Sequence, residues 1–234
     1  MGELVRYSGD AAIATITLDD GKVNVLSSAM LGEINEALDR AEAEAAVVVL
    51  GGRPGVFSAG FDLPVLREGG AAAGSMLRAG FELAERILSF PAPVVIACSG
   101  HAIAMGAFLV LSGDYRIGAD GPYKITANEV AIGVTLPLAA VEICRQRLSP
   151  AYFNRATIVA EVFAPADAVA AGFLDRVVDG AELDQAARSV ADELAQLDMT
   201  AHGATKLRAR KAALEALHEA IEIDSASYVA ALAR

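Results

Sequence analysis

The sequence predicts an α/β fold that ends in a helical segment. Two short runs rich in β-branched residues, AVVVL at 46–50 and PVVIACSG at 93–100, read as strands buried on both faces. Between them apolar residues recur at spacings of three and four, the period of an amphipathic helix. Beyond residue 180 the helical spacing continues without another strand. Strands alternating with helices specify a largely parallel sheet with helices packed on it.

The elements follow in order. AAIATITL (11–18) alternates loosely and reads as a strand. From Ser27 to about 43 the pattern is helical: Met30, Leu31, Ile34 and Leu38 share one face, and Ser27 is placed to cap. AVVVL ends in GGRPG, a loop signal. Helix is expected from about 63 to 90, interrupted by the glycines at 69–74. PVVIACSG follows, then a short apolar helix from Gly106 to about Gly113. DYRIGAD and YKITA read as two short strands, and LDRVV (174–178) as a third. Helices are expected at 137–148, 150–160 and 165–171, with two amphipathic helices at 182–197 and 203–232. No linker is visible, only a change of subdomain near 180.

Composition narrows the function. The chain has 234 residues, 54% of them hydrophobic, enough for a sizeable core. Its formal charge of −11, without a basic tract, argues against nucleic acid or an anionic membrane as partner. The apolar runs near 100 and 135 are about half the ~20 residues a membrane span needs. Cys98 and Cys144 form no CxxC pair, and His101, His202 and His218 lack metal-ligand spacing, so no metal site is expected. MGELVRYSGD is not built like a signal peptide, and a reduced cytoplasmic setting is expected.

Two loops carry the chemistry. FSAGFDL (57–63) follows the strand at 46–50, and GHAIAMGAF (100–108) follows the strand at 93–98. Each sets small residues and glycine immediately before a helix. Small side chains let a ligand approach the backbone, and amides at a helix start point outward with partial positive charge. Two such loops side by side could each give one N–H to the same oxygen, forming an oxyanion hole. Taken singly, each reads equally well as a tight strand-to-helix turn.

Together, FSAGFDL and GHAIAMGAFLVLSGDYRIGAD resemble the two signature segments of the crotonase (enoyl-CoA hydratase/isomerase) superfamily. ANEVAIGVTLP (127–137) is similar to its third segment and AAGFLDRVV (170–178) to its later strand, so the likeness runs from about residue 5 to 230. It implies the crotonase fold (the ClpP/crotonase superfold): a spiral of ββα units over 1–180 and a C-terminal helical segment at 181–234 within the same domain. That segment would serve trimerisation and cover the active site. The resemblance also implies a coenzyme A thioester as substrate, with no separate cofactor, and a homotrimer or dimer of trimers.

By the same resemblance, the thioester oxygen sits between the backbone N–H groups of Phe61 and Met105, beside Ala59 and Gly60. Met105 replaces the family's usual glycine, so its side chain either narrows the pocket or lies aside. Family hydratases use two glutamates; here the first position is Phe108 and the second is Glu129, next to Asn128. Adding water asks two groups to orient it and move its protons, whereas shifting a double bond needs one base. The Δ3,Δ2-enoyl-CoA isomerases of the family have an apolar residue at the first position and an Asn-Glu pair at the second, and Asn128-Glu129 is similar. The expectation is therefore an isomerase acting in fatty acid metabolism through a thioester enolate, with Glu129 as base. The alternatives are an enoyl-CoA hydratase and a non-catalytic acyl-CoA binding protein. Glu129 also has a plain structural reading as a helix-start acid.

Candidate partners for the coenzyme A phosphates are Lys22, Arg53 and Arg67, Lys206 within TKLRARK (205–211), and Asp62 near the nucleotide. Asp62 equally suits a helix cap, Asp114 a tie between loops, and Glu142 a surface pair with Arg145. A peptidase is disfavoured. GHAIAMGAFL is also similar to the nucleophile loop of the caseinolytic protease, but the serine's place is taken by Ala104, and 115–130 holds no histidine.

Overall fold

The computed structural model describes residues 4–10 and 12–232; Ala11, the first residue of the expected strand at 11–18, lies outside them. The chain starts with an antiparallel pair, β1 (Val5–Asp10) and β2 (Ile13–Leu18). A two-residue strand β3 (Val25–Leu26) leads into α1 (Ser28–Ala43). Ser27 caps α1 by accepting the Met30 N–H at 3.2 Å, which satisfies one of the unpaired donors at the helix start. Its apolar stripe, Met30, Leu31, Ile34 and Leu38, is buried as the spacing predicts.

β4 (Val47–Gly51), β5 (Gly55–Ser58) and β6 (Gly60–Phe61) follow, then α2 (Leu63–Glu68) and α3 (Gly70–Ser89). The glycine-rich interruption contracts to a single break: Gly69 and Gly70 take φ values of 72° and 75°, which glycine adopts without strain, and the helix resumes at once. β7 (Val94–Cys98) and β8 (Gly100–Ile103) precede α4 (Met105–Ser112), every residue of which is buried. β9 (Tyr115–Ala119) and β10 (Ile125–Thr126) lead through a short 3-10 turn to α5 (Leu138–Arg147), α6 (Pro150–Thr157) and α7 (Pro165–Ala171). β11 (Arg176–Val178), α8 (Leu183–Leu194) and the long α9 (Met199–Leu232) complete the chain.

The main sheet has the order β1-β2-β4-β7-β9-β11, parallel from β2 onward. β10-β8-β5 form a second parallel sheet, and β3-β6 a third. α1, α3 and α4 share the larger core with one face of the main sheet. Val47, Val49, Val95 and Ile117 on the other face meet Leu183, Ala187 and Ala191 of α8. α9 packs on α3 and α5 and buries Leu217, Ala220 and Ile221 in the larger core.

Asp114 ties three elements at the end of α4. It accepts the Val94 N–H at 2.7 Å, pairs with Lys206 of α9 at 2.7 Å and pairs with Arg210 at 2.9 Å. Half of the TKLRARK charges are therefore structural.

Candidate active site

The second sheet brings the three sequence segments together. β8 is its central strand, with β5 on one side and β10 on the other. FSAGFDL and GHAIAMGAF lie side by side, paired as Ser58 with Ala102. On the far side Thr126 pairs with Ile103, and its carbonyl accepts the Ala104 N–H at 2.9 Å. The segment holding Asn128 and Glu129 thus leaves the sheet beside the loop holding Met105.

The two loops touch at Gly60. A Cβ there would lie 2.9 Å from the Ile103 carbonyl oxygen, 3.1 Å from the Ala104 methyl and 3.4 Å from the Met105 nitrogen. With φ at 85°, the position favours glycine on conformational grounds as well. Ser58 shapes the turn: its hydroxyl donates to the Asn24 carbonyl at 2.7 Å and accepts the Gly60 N–H at 3.1 Å. Gly106 packs on Ser58, where a Cβ would meet the Ser58 carbonyl at 2.5 Å. Close backbone approach therefore explains the glycines of both loops.

Met105 is the first residue of α4, where the helix has no carbonyl to accept its N–H. Ala104 before it holds a φ of 51°, rare for alanine, and this strained residue sets the direction in which α4 starts. The Met105 side chain lies aside. It is buried against α3, with its Cγ 3.6 Å from where Gly80 would carry a Cβ. Gly80 also makes room for the Phe61 ring, which a Cβ would approach to 2.4 Å. Sequence reasoning missed Gly80; a glycine inside an otherwise apolar helix was the signal that could have found it.

Phe108 is fully buried on α4. Its ring stacks on Phe81 at 6.4 Å between centroids, and Phe81 meets Phe61 edge-on at 6.0 Å. These rings form an apolar wall next to Phe61 and Met105. Phe81 was likewise missed, being indistinguishable in sequence from an ordinary core aromatic.

Glu129 begins the turn Val130–Ile132. Burial raises its carboxyl from the ordinary 4.5 to about 7, against a small opposing effect of its own backbone N–H. Its Oε2 is buried without a hydrogen-bond partner, as are Asn128 Oδ1 and Thr126 Oγ1. Three orphaned polar atoms in four residues are unusual, because buried polar groups are normally paired. Cys144 of α5 is close enough for the Glu129 charge to act on its thiol.

The remaining candidates divide. Lys22 lies on the loop before β3, Asp62 caps α2 after β6, and Arg67 lies in the last turn of α2; β3 pairs with β6, Val25 opposite Gly60. Asp62 accepts the Val65 N–H at 3.4 Å as the cap of α2. Arg53 is held to the Lys22 carbonyl at 2.8 Å. Lys206 requires correction as a phosphate partner: it is only 6% exposed, bound to Asp114 and to the Ala92 carbonyl. Glu142 forms the expected pair with Arg145 at 3.2 Å. His101 supports its loop, accepting the Lys124 N–H at Nδ1 at 3.0 Å. Among the described residues no cluster of ligating side chains fits a metal, and no helix is long and apolar enough to cross a membrane.

Comparison with known proteins gives the family. Residues 8–233 match the family model described as enoyl-CoA hydratase/isomerase. The chain belongs to the enoyl-CoA hydratase/isomerase family. Among solved members, an enoyl-CoA hydratase of Mycobacterium ulcerans is 49% identical, with a TM-score of 0.93 over 96% of this chain and 99% of that one. A Mycobacterium tuberculosis enoyl-CoA isomerase is 47% identical, with a TM-score of 0.93 over 97% of this chain and 99% of that one. Human mitochondrial Δ3-Δ2-enoyl-CoA isomerase is 29% identical, with a TM-score of 0.90 over 99% of this chain and 92% of that one. The crotonase fold and an acyl-CoA thioester as the family's substrate follow. Both reaction names occur among relatives of similar identity, so names do not decide between the two reactions.

Proposed function

We propose that this protein is a Δ3,Δ2-enoyl-CoA isomerase. The observation that carries the reading is the pairing of a fully buried Phe108 with a half-buried Glu129 whose Oε2 is enclosed and unpartnered. The position where family hydratases place their first carboxylate is filled by an aromatic ring stacked on Phe81. Glu129 is left as the carboxyl beside the junction of the two loops. Glu142 does not replace the missing acid, since it is engaged with Arg145.

In the proposed reaction the thioester oxygen accepts hydrogen bonds from the N–H groups of Phe61 and Met105. Ionised Glu129 removes a proton from C2 of the 3-enoyl chain. The electron pair of that bond moves into a dienolate, whose charge rests on the thioester oxygen. The dienolate collapses with protonation at C4 by the same carboxyl, giving the conjugated 2-enoyl thioester and regenerating carboxylate. Two amide donors aimed at the developing oxyanion are each worth ~10²–10³ in rate in related acyl chemistry. A carboxyl with a pKa near 7 is a stronger base than an ordinary carboxylate and still holds the proton it must return; the uphill removal of the C2 proton is met by the two amides that stabilise the enolate. The apolar wall of Phe61, Phe81 and Phe108 excludes the water that a hydratase must admit. Lys22 and Arg67 are the proposed phosphate partners.

The test offers 3-enoyl and 2-enoyl thioesters separately. Isomerisation gives a product of unchanged mass with conjugated-thioester absorbance. Gain of water from the 2-enoyl substrate, without isomerisation, would instead support the hydratase. Tight thioester binding with neither product would support a binding protein.

A further inference from the structure

We infer that Asp224, on the C-terminal helix, is a positioning residue that fixes the far end of the loop carrying Glu129. The inference rests on the proposed role of Glu129 and extends it to α9.

That loop, 129–137, hangs between two anchors. Its near end follows β10, whose Thr126 carbonyl is bound by the Ala104 N–H of the Met105 loop. Its interior folds back on the Glu129 carbonyl, which accepts the N–H groups of Ile132 at 3.1 Å and Val134 at 2.9 Å. Its far end is the start of α5. A helix start leaves amides unpaired, and Pro137 in the cap position supplies no side-chain acceptor. Asp224 supplies both oxygens from a different helix: Oδ1 accepts the Leu138 N–H at 3.2 Å, and Oδ2 accepts the Ala139 N–H at 3.0 Å. A carboxylate there also complements the partial positive charge of the α5 N-terminus.

The cap lies close to the active-site wall. Asp224, Pro137 and Ile221 border a small cleft with Leu77 and Phe81, and Phe81 is the ring stacked on Phe108. α9 is held independently of the cap, since Ile221 and Leu217 are buried and Glu222 pairs with Arg78 of α3 at 2.5 Å. The base-bearing loop is thus tied at one end to the oxyanion loop and at the other to a docked helix. Cutting the second tie lets the loop swing and admits water to the Glu129 carboxyl. Cys144 of α5 is the ionisable side chain on which the Glu129 charge acts, and burial holds its thiol protonated, so Glu129 titrates alone.

The test uses the full-length protein. Asp224→Ala is expected to lower kcat on a 3-enoyl thioester about 10- to 100-fold with KM little changed, as a misplaced catalytic group does. The Glu129 carboxyl, followed by ¹³C NMR, should titrate lower than its native value of about 7, toward an ordinary carboxylate, as water reaches it. Asp224→Asn keeps one acceptor oxygen, and it should recover most of the rate and remain folded if the alanine variant does not. Glu222→Ala loses the neighbouring tie to Arg78 but keeps the cap, and should leave kcat and the titration unchanged. An unmoved Glu129 titration in a folded Asp224→Ala variant overturns the proposal, as does an equal loss of kcat in Glu222→Ala. If Glu129→Gln retained full turnover while Asp224→Ala still shifted the Glu129 titration, the positioning would stand and the base assignment would fall.

Discussion

Replacing Glu129 with glutamine should remove activity and stabilise the protein, by an amount that depends on pH. The carboxyl titrates at 4.5 when unfolded and at about 7 when folded, because burial disfavours its charge. Between those values the folded chain holds a proton that the unfolded chain has released. Stability contributed by this site therefore falls as pH rises from about 4.5 to about 7, and then levels off. At 1.36 kcal/mol per pKa unit, the full penalty is about 3 kcal/mol. Glutamine is neutral at every pH and escapes it. Denaturant titrations should therefore show Glu129→Gln and the native protein nearly equal at about pH 4 and separated by about 3 kcal/mol at about pH 8. The variant's turnover of a 3-enoyl thioester should fall ~10²–10⁴-fold, the usual contribution of a general base. In the native enzyme the rate should climb as pH passes about 7, since ionised Glu129 is the working form. Stability curves that stay parallel across that range would refute the buried, unpaired carboxylate from which the mechanism is argued.

Three further outcomes follow from the same geometry. Gly60→Ala places a methyl 2.9 Å from the Ile103 oxygen at a φ of 85°, so the loops must part; kcat should drop by about 10²-fold, read in the isomerase assay. Asp114→Ala leaves Lys206 and Arg210 without their carboxylate in a buried setting and should cost about 3–5 kcal/mol, measured by urea unfolding. Leu207 and Ile223, 48% and 45% exposed on α9, suit the trimer contact that the family resemblance assigns to the C-terminal segment; Leu207→Asp should lower the mass found by light scattering.

Much of the fold was legible because its signals are local. AVVVL and PVVIACSG are continuous apolar runs, and they became β4 and β7 within one or two residues. α1 has a cap and a regular stripe, and both lie where the spacing puts them. The strands that were missed, β1, β3, β5, β6 and β8, are short or polar, and most exist through partners far along the chain. β1 has only Val5 buried and is held by pairing with β2. β3 and β6 are two residues each, and no period can be read from so short a run. The site shows the same division. Small residues before a helix mark Gly60 and Met105, but only the sheet order puts Thr126 and Glu129 beside them. Lys206 was misread because a charge run looks solvated in sequence, whereas Asp114, distant in the chain, draws two of its cations inward.

That inward turn bears on how coenzyme A could be recognised by a chain of net charge −11. With Lys206 and Arg210 committed to Asp114, and Arg53 reaching the Lys22 carbonyl, Lys22 and Arg67 remain as the proposed phosphate partners. Exposed ion pairs of this kind each contribute only ~0–1 kcal/mol and are screened by salt. Binding of the nucleotide should therefore be weak and salt-dependent, leaving discrimination to the thioester oxygen and the acyl chain. In the proposed complex those groups meet the Gly60 junction, built from close backbone contact, and the buried aromatic wall. If so, raising ionic strength should raise KM for the thioester while leaving kcat unchanged, because the salt-sensitive contacts lie outside the reacting centre. A kcat that fell in parallel would mean that the charged groups are needed at the transition state, and Glu129 with two amides would no longer suffice as the machinery.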